Sequence, residues 1–139
     1  KKGDRLSVKV LAKKAQDIPV EEFLSLGQGD ILFVDSSHVA KCGSEVQYLF
    51  FEILSRLKKG VSVHFHDVFY PFEYPKVWVE QGRAWNESYM LRAFLQGNKD
   101  FKIMWFNSFL DRFHKSKVVE ALPLWERNTG GSIWIKKVR

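Results

Sequence analysis

Short apolar runs alternate along the chain with segments whose apolar residues recur every three or four positions. Leu6, Val8, Val10 and Ala12 alternate with other side chains at the period of a half-buried strand, which predicts a strand over 6–12. Gln16 to Pro19 reads as a turn, with Asp17 placed to cap a short helix whose inner face carries Val20, Phe23 and Leu24. Gly27 and Gly29 end that helix. The ILFV run within 30–35 is apolar on both faces, as expected of a strand covered on both sides in a parallel sheet. Val46, Leu49, Phe50, Ile53, Leu54 and Leu57 form one stripe, which predicts a helix over 44–58 with Ser44 as cap and Gly60 as stop.

The second half continues the alternation. VSVHFH at 61–66 is a third strand, and a loop rich in aromatic residues, DVFYPFEYP, follows from Asp67 to Pro75. Helical spacing returns over Tyr89 to Leu95, from a start near Asn86 to a stop at Gly97. FKIMWFN at 101–107 is a fourth strand, and SIWIKKV after Gly130-Gly131 is the last. Residues 109–129 show no clear period and are expected to form a loop with one helical turn. Strands alternating with helices imply an α/β, Rossmann-like fold with a mostly parallel sheet, helices on both faces and right-handed crossovers. No clear helix separates the last two strands, so the final one is expected to run antiparallel.

Composition narrows the class. The 139 residues suit a single domain over 1–139, and 45% hydrophobic content is enough for a real core. No apolar run approaches the ~20 residues of a membrane span. Cys42 is the only cysteine, which excludes an intrachain disulfide framework and favours a cytoplasmic setting. The net charge of +6 admits nucleic acid or an anionic ligand. The basic residues are scattered without a run of five, so solvated surface charge is the better account and nucleic acid is not expected as a partner.

Charge matters most where the apolar runs stop. In an open parallel sheet ligands bind beyond the carboxyl ends of the strands. Asp35 ends one such strand, while His66 and Asp67 end the next. Neighbouring strands about 4.8 Å apart would bring these groups to one small volume. Gln16 and Asp17 face the same rim from the first strand. Asp35 can instead bond the backbone of the Ser36-Ser37 turn. His64 lies deeper than His66 on the same face and is expected to be a hydrogen-bonded core histidine. His38 lines either the crevice or the surface. Two carboxylates brought together need a proton, a metal or a cationic ligand between them. HFHD does not match the spacing of metal hydrolases, which place Asp two residues beyond the second His. Phe69, Tyr70, Phe72, Tyr74, Trp78 and Trp85 then form either a lid or a buried arm, with Arg83 and Asn86 available to an acidic substrate.

The run ILFVDSSHVAKCGSEVQYLFFEILSRLKKGVSVHFHDVFYPFEYPKVWV resembles the class I methyltransferases that use S-adenosylmethionine, in the subgroup labelled methyltransferase domain 24. That subgroup shows an IDSSH strand end, a GSDV-NYLFFE helix, a VHFHD strand and a PFEYP loop. AQDIP at 15–19 and WNESYMLRAFL at 85–95 are also similar to it, and the likeness covers residues 5–137. The resemblance implies an α/β sandwich with a seven-stranded sheet whose last strand is antiparallel. It implies Gln16 and Asp17 at the adenine, and Asp35, Ser36 and His38 beside the sulfonium and the acceptor. It places Asp67 and His66 toward the acceptor. Asp35 and Asp67 match the carboxylates that hold a divalent cation in some relatives.

The departure from that family is as informative. Its glycine-rich turn after the first strand, and the acid ending its second, have no counterpart here; Gly27-Gln28-Gly29 precedes a strand. The chain is therefore expected to correspond to the carboxyl-terminal part of such an enzyme, a fragment of the fold. In the family two strands lie between the third strand and the ILFV strand. Either residues 6–12 pair directly with 31–35, or two chains meet along that edge as a homo-oligomer, or the missing strands belong to the intact protein. The expected activity is O-methylation of a small molecule or sugar, with His66 or His38 as base, and weak when this chain acts alone. The rival is a non-catalytic or degenerate Rossmann-like module acting in assembly.

Overall fold

The computed structural model describes residues 8–139. Four strands form one sheet: β1 (Ile31–Val34), β2 (Ser62–His66), β3 (Phe101–Phe106) and β4 (Ser132–Lys137), in the order β1-β2-β4-β3. β1 and β2 are parallel, with Ile31 opposite Ser62 and Val34 opposite Phe65, so their carboxyl ends lie level. β4 is antiparallel to both β2 and β3. The expected antiparallel last strand is present, and it separates β3 from β2. The expected mostly parallel sheet is instead mixed: three strands share one direction, but among the described residues only β1 and β2 pair in parallel, because β4 inserts antiparallel between β2 and β3.

One face of the sheet carries the core. Leu32 and Val34 of β1, Val63 and Phe65 of β2, and Ile133 and Ile135 of β4 pack against the stripe Val46, Leu49, Phe50, Ile53, Leu54 and Leu57. The segment bearing that stripe is α2 (Glu45–Tyr48), which widens into a π-helical stretch over Leu49–Ile53 and tightens to a 3₁₀ turn over Leu54–Arg56. Ser44 caps it as expected, its hydroxyl accepting the Gln47 N–H at 3.3 Å. α1 (Val20–Leu24) and α4 (Glu87–Leu95) add Val20, Phe23, Met90, Leu91 and Phe94 to the same core. Burying these side chains supplies the main stabilisation, at roughly 25 cal/mol per Å² of apolar surface removed from water. α3 (Lys76–Glu80) contributes no buried residue.

Three single-segment expectations are corrected as well. Residues 8–12 form no strand and pair with nothing on β1; Val8 and Val10 are 80% and 82% exposed, and residues 6 and 7 lie outside the described residues. Alternation without a second strand to bond leaves such a segment unsatisfied. Asp17 does not cap α1. Pro19 occupies that position, and Asp17 ends a 3₁₀ turn over Ala15–Asp17. Residues 109–129 are mostly helical: α5 spans Asn107–Ala121 with a kink at His114, followed by a 3₁₀ turn over Pro123–Arg127. Phe109 and Phe113 pack around Tyr70, at 5.2 and 5.5 Å between ring centroids, so aromatic contacts with a distant loop hold a helix that periodicity alone does not reveal.

The second face is dressed unevenly. Phe33, His64, Trp134 and Trp105 occupy paired positions across the four strands. Trp125, from the 3₁₀ turn, meets Trp105 edge-on at 5.5 Å, and Leu122 and Trp125 line a cavity with His64 and Trp134. Toward β1 the face is open, with Ile31 54% and Phe33 59% exposed, so the ILFV strand is covered on one face and not on both as expected. Among the described residues no strand pairs with the outer edge of β1. No helix of the described residues is long and apolar enough to cross a membrane.

Candidate active site

Because β1 and β2 end level, the residues that follow them meet at one rim. His38 sits at the centre of that meeting. It is 4% exposed, and its backbone is left-handed at φ 58°. Asp67, just past β2, is also left-handed at φ 56°. Such conformations cost a non-glycine residue on the order of 1–3 kcal/mol and persist only where surrounding contacts hold them. Here the contacts are visible. The His38 N–H donates to Ser36 Oγ at 2.9 Å, and the Asp67 N–H donates to the Gly131 carbonyl at 2.7 Å.

Two carboxylates flank one imidazole nitrogen. His38 Nε2 lies 3.6 Å from Asp35 Oδ1 and 3.8 Å from Asp67 Oδ2. The other Asp67 oxygen is 3.5 Å from His66 Nε2, so Asp67 stands between the two histidines. A third carboxylate, Glu87, bonds His38 Nδ1 at 2.9 Å and is itself 1% exposed. Burial works against protonation of His38, but the hydrogen bond and charge of Glu87, with the charges of Asp67 and Asp35, outweigh it and raise its pKa above 6.5. When protonated, His38 offers the positive charge that the two neighbouring acids favour.

α4 clamps this arrangement from outside the sheet. The His38 carbonyl accepts the N–H groups of Asn86 and Glu87 at 2.9 and 3.1 Å, donors otherwise orphaned at a helix start. Asn86 stands at the expected cap position, but its side chain is used elsewhere. It accepts the Ala40 N–H at 2.6 Å and donates to the Ala40 carbonyl at 3.3 Å. Trp85 lies against the His38 ring at 4.3 Å, and Tyr74, Trp78 and Phe69 extend the aromatic contacts away from it. The Arg83 guanidinium lies over both Trp78 and Trp85, at 4.6 and 4.9 Å. The aromatic segment is therefore a packed arm in contact with the site. Tyr74 accepts the Ser88 N–H at 2.9 Å, and burial pushes its hydroxyl up to about 12, leaving it a structural hydrogen-bond partner at neutral pH.

The remaining candidates fall into separate places. Ser36 donates to Glu87 Oε1 at 3.0 Å, so its hydroxyl is engaged within the site. Gln16 donates to the Gly43 carbonyl at 2.8 Å, while its Oε1 is buried with no hydrogen-bond partner. Asp17 is exposed. Gln16 lines a pocket with Gly43, Ser44 and Gln47, and a separate apolar cavity of about 150 Å³ beside the end of β1 is lined by Ala15, Phe23, Leu32, Asp35, Ser36 and Tyr48. His66 points to the open second face, where its ring lies 5.9 Å from that of His64. The expectation for His64 was half right. It is buried, but neither ring nitrogen has a hydrogen-bond partner; Phe33 stacks on it at 4.5 Å and Trp134 meets it edge-on at 4.6 Å. Burial, then the charge of His66, lower its pKa and keep it neutral.

A divalent cation does not fit the donors as arranged. Among the described residues no group of three or more His, Cys, Asp or Glu side chains is placed to hold a metal, and the imidazole of His38 lies where Asp35 and Asp67 converge. The apolar cavity beside Asp35 and the pocket at Gln16 share Tyr48 as a wall.

Glu87 is the site residue that motif reading missed. It shares the inner stripe of α4 with Met90, Leu91 and Phe94, at spacings of three, four and seven. A carboxylate on an otherwise apolar stripe is the signal that identifies it, since a buried charge is rare unless paired. Comparison with family models, with curated proteins and with solved structures gave no match.

Proposed function

We propose that the chain is the carboxyl-terminal part of a class I S-adenosylmethionine-dependent methyltransferase acting on an oxygen of a small molecule or sugar. The observation that carries this is the convergence of Asp35, His38 and Asp67 at the level ends of two parallel strands. Ligands of open α/β sheets bind at that kind of rim. The antiparallel β4 and the strand-end acids agree with the pattern of the family the sequence resembles, and the open edge of β1 is where that family carries further strands.

The cofactor, when bound, supplies an activated methyl group whose carbon–sulfur bond breaks as the bond to the acceptor oxygen forms. The chain's own part is to align the acceptor and remove its proton. His38 presents Nε2 as the proton acceptor, and its raised pKa makes the neutral form, once present, a stronger base. Asp67 and Asp35 hold the imidazolium that results. His66, beyond Asp67, is the second proton-accepting group at this rim. By the resemblance Gln16 and Asp17 would receive the adenine, Gln16 from a pocket it lines with Gly43, Gln47 and Tyr48.

The rival function, a non-catalytic module acting in assembly, is favoured by the open β1 edge with Ile31 and Phe33 exposed. Calorimetric titration of the chain with S-adenosylmethionine separates the two. Saturable heat at sub-millimolar concentration supports the methyltransferase. Absence of heat at millimolar ligand rejects it in favour of the assembly module.

A further inference from the structure

We propose that Glu87 is the positioning residue of this site: its carboxylate accepts the Nδ1–H of His38 and so holds the imidazole with Nε2 facing the Asp35–Asp67 pair. The functional meaning rests on the methyltransferase assignment, while the geometry does not. Both oxygens of Glu87 are committed, Oε2 to His38 Nδ1 at 2.9 Å and Oε1 to Ser36 Oγ at 3.0 Å. Ser36 Oγ in turn accepts the His38 N–H at 2.9 Å. The three residues close a ring that includes His38's own backbone, which is how the left-handed φ of 58° is held. Trp85 covers the imidazole at 4.3 Å, leaving Nε2 as the ring nitrogen directed to the crevice acids.

The chemical consequence follows from what an ionised carboxylate can do. It accepts hydrogen bonds and cannot donate one. Glu87 lies within hydrogen-bond distance of Nδ1 at 2.9 Å, whereas Asp35 and Asp67 stand 3.6 and 3.8 Å from Nε2, so in the neutral ring the proton is held at Nδ1 and the lone pair at Nε2. That tautomer is the one a proton acceptor at the crevice needs. A purely structural residue at this point of α4 would be apolar, matching Leu91 and Phe94. A buried carboxylate there bears a desolvation cost that only its partners offset. Orienting a working histidine through its second nitrogen is a general role of such carboxylates.

The test is a long-range ¹H–¹⁵N correlation spectrum of the histidines in the whole chain, recorded at alkaline pH where the imidazole is neutral. In the wild type, His38 is expected to show a protonated Nδ1 and an unprotonated Nε2. The opposite pattern, or rapid averaging of the two nitrogens, overturns the proposal without recourse to any variant. Glu87→Gln keeps the shape and can still accept from Ser36, but its amide can also donate. In that variant the two nitrogen shifts are expected to converge, with circular dichroism unchanged. A folded E87Q protein that retains the wild-type shifts would also overturn it, since the tautomer would then be set by something other than Glu87. None of these outcomes requires S-adenosylmethionine to bind, so the proposal and the methyltransferase assignment fail separately.

Discussion

Replacing Gly131 by alanine should strike both the fold and the candidate site. The backbone of Gly131 is not in the left-handed region, so alanine is conformationally allowed and its cost is steric. A Cβ there would stand 2.7 Å from Phe69 Cε2 and closer still to Cε1 and Cζ. The ring cannot simply retreat: Trp78 meets it edge-on at 5.4 Å, and Trp85 backs Trp78 at 5.2 Å. Overpacking of this kind costs about 1–3 kcal/mol. With a urea slope of roughly 1–3 kcal/mol per molar, the unfolding midpoint should fall by on the order of 1 M at constant slope. Gly131 also accepts the Asp67 N–H, so the shift should disturb the His38 environment as well. In a Phe69→Ala background the same substitution should cost little, giving a coupling energy comparable to the single loss. Equal losses in both backgrounds, or a G131A protein as stable as the wild type, would refute the packing argument.

Other substitutions and pH probe separate parts of the structure. His38 has a raised pKa in the folded state, so its contribution to stability is complete below the unfolded value near 6.5 and is lost as pH rises through the folded value. His64, lowered, does the reverse: its contribution is present above that value and is lost as pH falls toward its folded pKa. Denaturation across pH should therefore lose its alkaline limb in His38→Asn and its acidic limb in His64→Phe; a limb that survives its variant refutes that assignment. Ser44→Ala should lower stability by about 1 kcal/mol through loss of the α2 cap, and an unchanged melting temperature would show that the cap is idle. Leu91→Ala, at a fully buried core position, should cost about 2–5 kcal/mol in chemical denaturation, and a loss below that range would place Leu91 outside the packed core.

Which parts were legible in the sequence has physical reasons. The stripe from Val46 to Leu57 and the inward-facing residues of β2 and β4 are buried as their spacing required, because local period and tertiary burial agree there, whereas β1 is covered on one face only, with Ile31 and Phe33 exposed. The segment 6–12 had the right alternation, yet over residues 8–12 no strand forms. α5 was hidden because its contacts, Phe109 and Phe113 on Tyr70, depend on a loop far away in the chain. The meeting of Asp35 with Asp67 was readable from two strands ending in acids. The burial of His38 was not, since it depends on α4 bringing Glu87 and Trp85 over the rim. Glu87 lies in the first turn of α4, where solvated acids are common. Only its position on the apolar face of α4 separates it from a surface residue.

The most direct test of the central claim is a map of amide shifts as S-adenosylhomocysteine, the demethylated product, is titrated into the ¹⁵N-labelled chain. The account predicts saturable changes grouped at Ala15–Asp17, Asp35–His38 and the Asp67 turn. Saturable changes confined to other surfaces, or none at millimolar ligand, would contradict it.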